Sequence, residues 1–260
     1  MTTSTIWSAG RYDAVGDRIA PIAEQVVDAV ARRRPLRGAA LVDLACGTGS
    51  AALTAAARGA HVTGVDYTPE LLTIAERRNG ADAVHWLVAD AGDTGLPAAS
   101  FDAVVSNMGI IFVEPQRQLA EIDRLLKDGG TLAFSAWVRD TSNPLFDPVV
   151  AVLGPPAASG FSPDQWGDEA VLAERLGGSF TDVDIRAGRH VWEFESLDAA
   201  MRFLRAESPV HVKTFRRVSE PQRDELAAAF ESTLAGHVDA TGTVTFGAPY
   251  VVVSATYRAS

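Results

Sequence analysis

Residues 41–66 read LVDLACGTGSAALTAAARGAHVTGVD. An apolar run ends in Gly47-Thr48-Gly49, passes into an alanine-rich segment and reaches an acid, Asp66. The order implies a strand, a tight turn, a helix and a second strand, with the acid at the carboxyl end of the second strand. Units of this kind hold nucleoside-bearing cofactors, because glycine lets a ligand approach the backbone and the acid can accept from ribose hydroxyls. Which cofactor is a matter for the neighbouring residues.

Working outward, the alternation continues to Trp137. ALVDLA (40–45) is the first strand; Ser50 is expected to cap the helix after it and Gly59 to end that helix. HVTGVD is the second strand, and Thr68-Pro69-Glu70 opens a helix running to Asn79-Gly80. AVHWLVAD (83–90) and FDAVVSN (101–107) are the third and fourth strands. Pro115 opens a helix whose Leu119, Ile122, Leu125 and Leu126 share a face, and TLAFSAW (131–137) is the fifth strand. Strands alternating with helices imply a parallel sheet covered on both faces. Residues 10–34 are helical, with a restart expected at Pro21. Beyond Trp137, the Pro- and Gly-rich tract 142–166 has no clear period. Helices are expected at 168–178, 196–207 and 220–237, and strands at 183–194, 243–246 and 250–257.

Composition narrows the function. The chain has 260 residues, 47% of them hydrophobic, and a net charge of −10, which argues against a general nucleic-acid surface. The basic cluster Arg32-Arg33-Arg34 with Arg37 is read as cations at a helix C-terminus. A single cysteine, Cys46, excludes an internal disulfide and a multi-cysteine metal site; it is read as a small buried hydrophobe, and no metal is expected. The start lacks a signal-peptide pattern and no apolar run is long enough to span a bilayer, so the expectation is a cytoplasmic protein without membrane insertion.

Gly47-Thr48-Gly49-Ser50-Ala51-Ala52 satisfies the loose dinucleotide pattern, which is a weak signal. Asp43 discriminates better, since an acid beside the turn suits an ammonium group and not a pyrophosphate. Asp90-Ala91 places a further acid and a backbone N–H where they would read an adenine edge. Three acids at the ends of adjacent strands suit a cationic adenosine cofactor. None of the four tyrosines has a lysine four residues on, as short-chain dehydrogenases require.

With these motifs in order, the chain resembles the class I S-adenosylmethionine-dependent methyltransferases, in the ubiquinone/menaquinone-methylase-like branch. VDLACGTGSAA is similar to that family's first motif, VTGVDYTPELLTIAERR to its ribose-binding strand and following helix, and WLVADAGDTGLPAASFDAVVSNMGIIFV to its adenine segment and fourth strand. EIDRLLKDGGTLAFSAW resembles the approach to and course of its fifth strand. The likeness covers residues 10–140. It implies a Rossmann-like α/β fold, with a seven-stranded, mostly parallel sheet whose last strand is antiparallel, helices on both faces and a C-terminal cap insertion. The expected division is 1–35 as a helical lid, 36–140 as the cofactor core and 141–260 as a substrate-side cap plus the last strands.

The resemblance also implies roles. Ala45, Gly47 and Gly49 would cradle the methionine part, and Asp43 would organise the turn or meet the amino group. Asp66 would hold the ribose and Tyr67 stack beside the adenine, whose edge Asp90 and Ala91 would read. Ser106, Asn107 and Gly109 would lie next to the sulfonium, and Tyr12, with Trp7, would belong to the segment that closes over the cofactor. Trp7, Met108, Trp137, Trp166 and Phe203 are candidates for an apolar acceptor pocket, although each is equally readable as core. His211 is the candidate base, and catalysis without any base is the other reading, because alignment alone removes about 7–11 kcal/mol of barrier. The implied activity is methyl transfer to a hydroxyl or activated carbon of a small, largely apolar metabolite. A non-catalytic cofactor-binding protein and a nicotinamide-dependent oxidoreductase are the alternatives. The acceptor and the oligomeric state are not legible.

Overall fold

The computed structural model describes residues 5–155 and 160–259. Part of the Pro- and Gly-rich tract, 156–159, lies outside the described residues. Seven strands form one sheet: β1 (Ala40–Leu44), β2 (His61–Asp66), β3 (Val84–Val88), β4 (Phe101–Asn107), β5 (Leu126–Trp137), β6 (Phe180–Phe194) and β7 (Val244–Tyr257). Their order is β3-β2-β1-β4-β5-β7-β6. The pairs from β3 through to β5 are parallel, and β7 lies antiparallel on β5 with Thr131 opposite Thr256 and Trp137 opposite Tyr250. This is the sheet expected from the sequence. Leu41 and Val42 point to opposite faces of β1 and both are fully buried, so each face of the central strand is covered.

The helices are α1 (Tyr12–Ala31), α2 (Ser50–Ala57), α3 (Pro69–Ala75), α4 (Pro115–Leu125), α5 (Asp147–Leu153), α6 (Glu169–Leu176), α7 (Leu197–Arg202), α8 (Pro209–Arg217) and α9 (Glu220–Ala235). Several local expectations need correction. α1 runs unbroken through Pro21, which lies on the exposed side where water can satisfy the carbonyl that loses its helical donor. Ser50 is the first residue of α2 and not its cap; the cap position is Gly49 in a left-handed conformation. At the other end Gly59 does close α2, where the amides of Gly59 and Ala60 reach back to the carbonyls of Ala56 and Ala55. The two C-terminal strand readings merge into the single β7, and α5 lies in the tract that showed no period.

Two of the arginines after α1 extend their side chains to other elements. Arg33 donates from Nε to Ser254 Oγ (3.0 Å) and from Nη1 to Thr256 Oγ1 (3.0 Å), and it also reaches the Asp182 carbonyl. Arg34 pairs with Asp102 at 3.1 Å. Both therefore fasten sheet residues.

The chain divides into two compact units. The larger comprises Ile19–Arg139, Phe161–Gly188 and Tyr250–Ser260, and contains β1 to β5 with α2, α3, α4 and α6. The smaller comprises Met1–Arg18, Asp140–Gly160 and Arg189–Pro249, and contains α5 and α7 to α9. Its core gathers Trp192, Phe194 and Phe203, with Arg18 over the Phe194 ring at 4.6 Å. After α7 the backbone widens into a π-helical turn, Phe203–Glu207, and the Glu207 carbonyl accepts from Arg11 N at 2.8 Å.

Candidate functional site

The turn between β1 and α2 is built from left-handed residues in alternation, Ala45 (φ 53), Gly47 (φ 55) and Gly49 (φ 82). Two acids hold it. Asp66 Oδ2 accepts from Gly47 N at 2.9 Å and Oδ1 from Thr68 N at 2.8 Å. Asp43 Oδ2 accepts from Ala52 N at 2.9 Å, whereas Asp43 Oδ1 is buried without a hydrogen-bond partner. Burial pushes the Asp43 carboxyl up to about 8, against the pull of the Ala52 bond, and the nearby Asp66 raises it further. Asp66 is also raised by burial, with the Thr68 and Gly47 amides opposing. The Thr68 hydroxyl and the Tyr67 amide bear on the same carboxylate, so the Asp66 side chain is surrounded by donors from the turn and from the residues that follow β2. The Cys46 thiol is raised by burial and by both acids, which keeps it protonated and inert.

Gly49 also meets an indole. A Cβ there would lie 2.5 Å from Trp86 Cη2, and one on Gly64 would lie 2.6 Å from Trp86 Cζ3. The missing side chains make room for an indole of the protein itself. Tyr67, at the end of β2, is 46% exposed and so presents its ring outward. Past β3, Asp90 Oδ1 accepts from Gly92 N at 2.8 Å, and Oδ2 lies 3.0 Å from Arg117 Nη2. Ala91 is buried and its carbonyl accepts from Gln118 Nε2 at 3.0 Å. Nothing in the local pattern at 90–91 marked these two α4 side chains as partners.

At the end of β4 a buried polar network replaces an open face. Ser106 Oγ donates to Leu44 O (2.7 Å) and accepts from Ile110 N (3.0 Å). Ser135 Oγ donates to Asn107 Oδ1 at 2.7 Å and accepts from the amide of Met108, itself left-handed at φ 56. Asn107 Nδ2 donates to Ile19 O at 3.3 Å. A Cβ on Gly109 would stand 2.5 Å from Ala45 O, so the β4 loop and the glycine turn touch. Ser135 and Trp86 are the parts of this region the sequence reading missed; both partner residues remote in the chain.

The remaining candidates belong to both units. Trp7 and Tyr12 meet edge to face at 5.8 Å in the smaller unit. Trp166, expected beside an acceptor, is fully enclosed between Phe134 (5.4 Å) and the Arg175 guanidinium (4.6 Å). Phe203 and Met108 are likewise buried, while Trp137 is half-buried. His211 lies in the first turn of α8. Its Nε2 is 2.7 Å from Leu145 O and its Nδ1 2.7 Å from Ser208 Oγ. A carbonyl only accepts, so the proton sits on Nε2 and Ser208 donates to Nδ1. Both ring nitrogens are thus occupied, and burial lowers the affinity of the ring for a second proton.

The donor set suits a cationic adenosine ligand: an orphaned buried carboxyl oxygen on Asp43, a second acid at the end of β2 and a third beyond the next strand. Among the described residues no group of three or more His, Cys, Asp or Glu side chains is arranged to hold a metal ion. A family model described as "Methyltransferase domain" matches residues 42–134. A demethylmenaquinone methyltransferase of Clavibacter sepedonicus is 41% identical over 100 residues, 38% of this chain and 41% of that protein. An uncharacterised protein of Mycobacterium tuberculosis is 30% identical over 195 residues, 72% of this chain and 69% of that one. The chain belongs to the class I S-adenosylmethionine-dependent methyltransferases. This methyltransferase also shares its fold with phosphoethanolamine N-methyltransferase 2 of Haemonchus contortus, solved with S-adenosylhomocysteine. The TM-score is 0.56 at 20% identity, over 90% of this chain and 52% of that one. Among the described residues no helix is long and apolar enough to cross a membrane.

Proposed function

We propose that this methyltransferase moves the methyl group of S-adenosylmethionine to a hydroxyl or activated carbon of a small, largely apolar metabolite. When bound, the cofactor supplies a methyl group already activated by a sulfonium. The observation that carries the reading is Asp43: its Oδ1 is buried and unpartnered at the lip of a turn held by a second acid. An ammonium group would supply the missing partner. In this reading Asp66 takes the ribose hydroxyls, Asp90 and Ala91 meet the adenine, and Ala45, Gly47 and Gly49 shape the backbone around the methionine part. Ser106, Asn107 and Gly109 keep the loop beyond β4 in place. The part of the chain beyond the matched family region, 141–260, chooses the acceptor.

Catalysis rests on alignment. A general base adds only about 10²–10⁴-fold, and the one basic nitrogen of His211, Nδ1, already accepts from the Ser208 hydroxyl. We assign it to holding the 143–146 segment. The acidic surface, with a net charge of −10, disfavours nucleic acid as the acceptor. The deciding experiment is calorimetric titration with S-adenosylhomocysteine, with NADH and NADPH as controls, followed by transfer of labelled methyl from the donor to a panel of quinols, phenols and activated-carbon acceptors. Saturable binding of the homocysteine compound alone, then label in an apolar product, is expected. Binding without label transfer to any acceptor would make the protein a cofactor-binding one; preference for a nicotinamide would sink the reading.

A further inference from the structure

Four polar side chains of α4 reach the loop that follows β3. Arg117 pairs with Asp90 and Gln118 donates to the Ala91 carbonyl, as above. One turn on, Glu121 Oε1 accepts from Thr94 N (2.9 Å) and Oγ1 (2.5 Å), and Arg124 Nη1 donates to Leu96 O (2.6 Å). Residues one, four and seven positions apart fall on one side of a helix, so this face of α4 is a continuous clamp on residues 90–96.

The clamp is tightest on one peptide. The unit joining Ala91 to Gly92 has its C=O held by Gln118 Nε2 and its N–H held by Asp90 Oδ1. The other oxygen of the same carboxylate is held by Arg117. The Arg117 stem lies over this peptide, since a Cβ on Gly92 would come within 3.2 Å of Arg117 Cγ. Gln118 is completely buried, and its Oε1 has no partner. An apolar side chain of equal length would fill the space without an unsatisfied acceptor. What the amide contributes is the bond to Ala91.

We propose that Gln118 is a positioning residue for the base of the cofactor: by pinning the Ala91–Gly92 peptide, with Arg117 holding Asp90, it sets the edge against which a 6-amino purine is distinguished from a 6-oxo purine. This rests on the reading that Asp90 and Ala91 meet the adenine. Neither α4 residue touches the cofactor; both act through the loop.

The test compares S-adenosylhomocysteine with S-inosylhomocysteine, which differ in that group, by calorimetry on wild type, Gln118→Met and Arg117→Met. Wild type is expected to prefer the adenosine compound. Gln118→Met should lose tenfold or more in affinity for it and less than twofold for the inosine compound, narrowing the preference. An equal loss for both ligands, or an unchanged preference, overturns the proposal. Arg117 is half-exposed, so Arg117→Met covers the case in which Gln118→Met does not fold; it should narrow the preference by about threefold, and an unchanged ratio counts against the proposal. A wild type that binds both compounds equally also overturns it while leaving the cofactor reading intact. Only a wild type that binds neither overturns that reading itself.

Discussion

Asp43 holds a proton in the ligand-free protein at neutral pH, because its carboxyl is raised to about 8. A folded value above the unfolded one of about 3.9 means that this group's contribution to stability is complete below pH 4 and is lost as pH rises towards 8. Asp43→Asn should therefore flatten that part of the curve of stability against pH, read from urea midpoints. The same substitution should weaken S-adenosylmethionine, because an ammonium would face a neutral amide. If an ammonium draws the proton off Asp43, binding of the amino-bearing cofactor releases a proton, visible as a calorimetric heat that changes with the buffer. Asp66→Ala removes an acceptor for two ribose hydroxyls, each charge-assisted bond contributing about 1.5–3 kcal/mol. A loss of about 100-fold or more in S-adenosylhomocysteine affinity is expected, and unchanged affinity would place the ribose elsewhere. Both acids were legible from their position beside the glycines. Gln118 was not, since its partner Ala91 lies 27 residues away and a glutamine inside an amphipathic helix carries no local signal.

Among the elements, α2 shows how much rests on a single contact. It begins at a left-handed glycine packed under Trp86 and ends at another left-handed glycine, Gly59. Gly49→Ala would add strain at φ 82 and bring its Cβ to 2.5 Å from the indole, together costing about 2–4 kcal/mol. Denaturant unfolding checks this, and Trp86→Leu in the same chain should recover the part due to that close contact. The sequence pattern located this helix and its glycines correctly, because turn chemistry is local. It did not show the packing constraint on Gly49, because Trp86 arrives from the third strand. The unbroken course of α1 through Pro21 escaped for a related reason: whether a proline ends a helix depends on which side faces water.

For the molecule as a whole, legibility follows the family motifs. Residues 42–134 match the methyltransferase model, and there strand and helix positions were readable from periodicity and turns. In the smaller unit α9 was legible as an amphipathic helix, but the π-helical turn before α8 and the short α5 carry no such period. His211 is a sensor of packing in that unit. Burial holds its pKa below the ordinary value of about 6.5, with the Leu145 bond opposing. Its contribution is complete above that value and is lost as pH falls through the folded one. Urea midpoints should decline between pH 7 and 5 in wild type and decline less in His211→Gln; identical slopes would mean other groups dominate. The position of β7 has a consequence in time. It is the last strand in sequence, yet it separates β5 from β6. During synthesis β6 emerges well before the strand it must pair with, so the outer edge of β5 stays open until residues 244–257 have left the ribosome. A nascent chain halted before that point carries an uncovered edge that another strand can occupy.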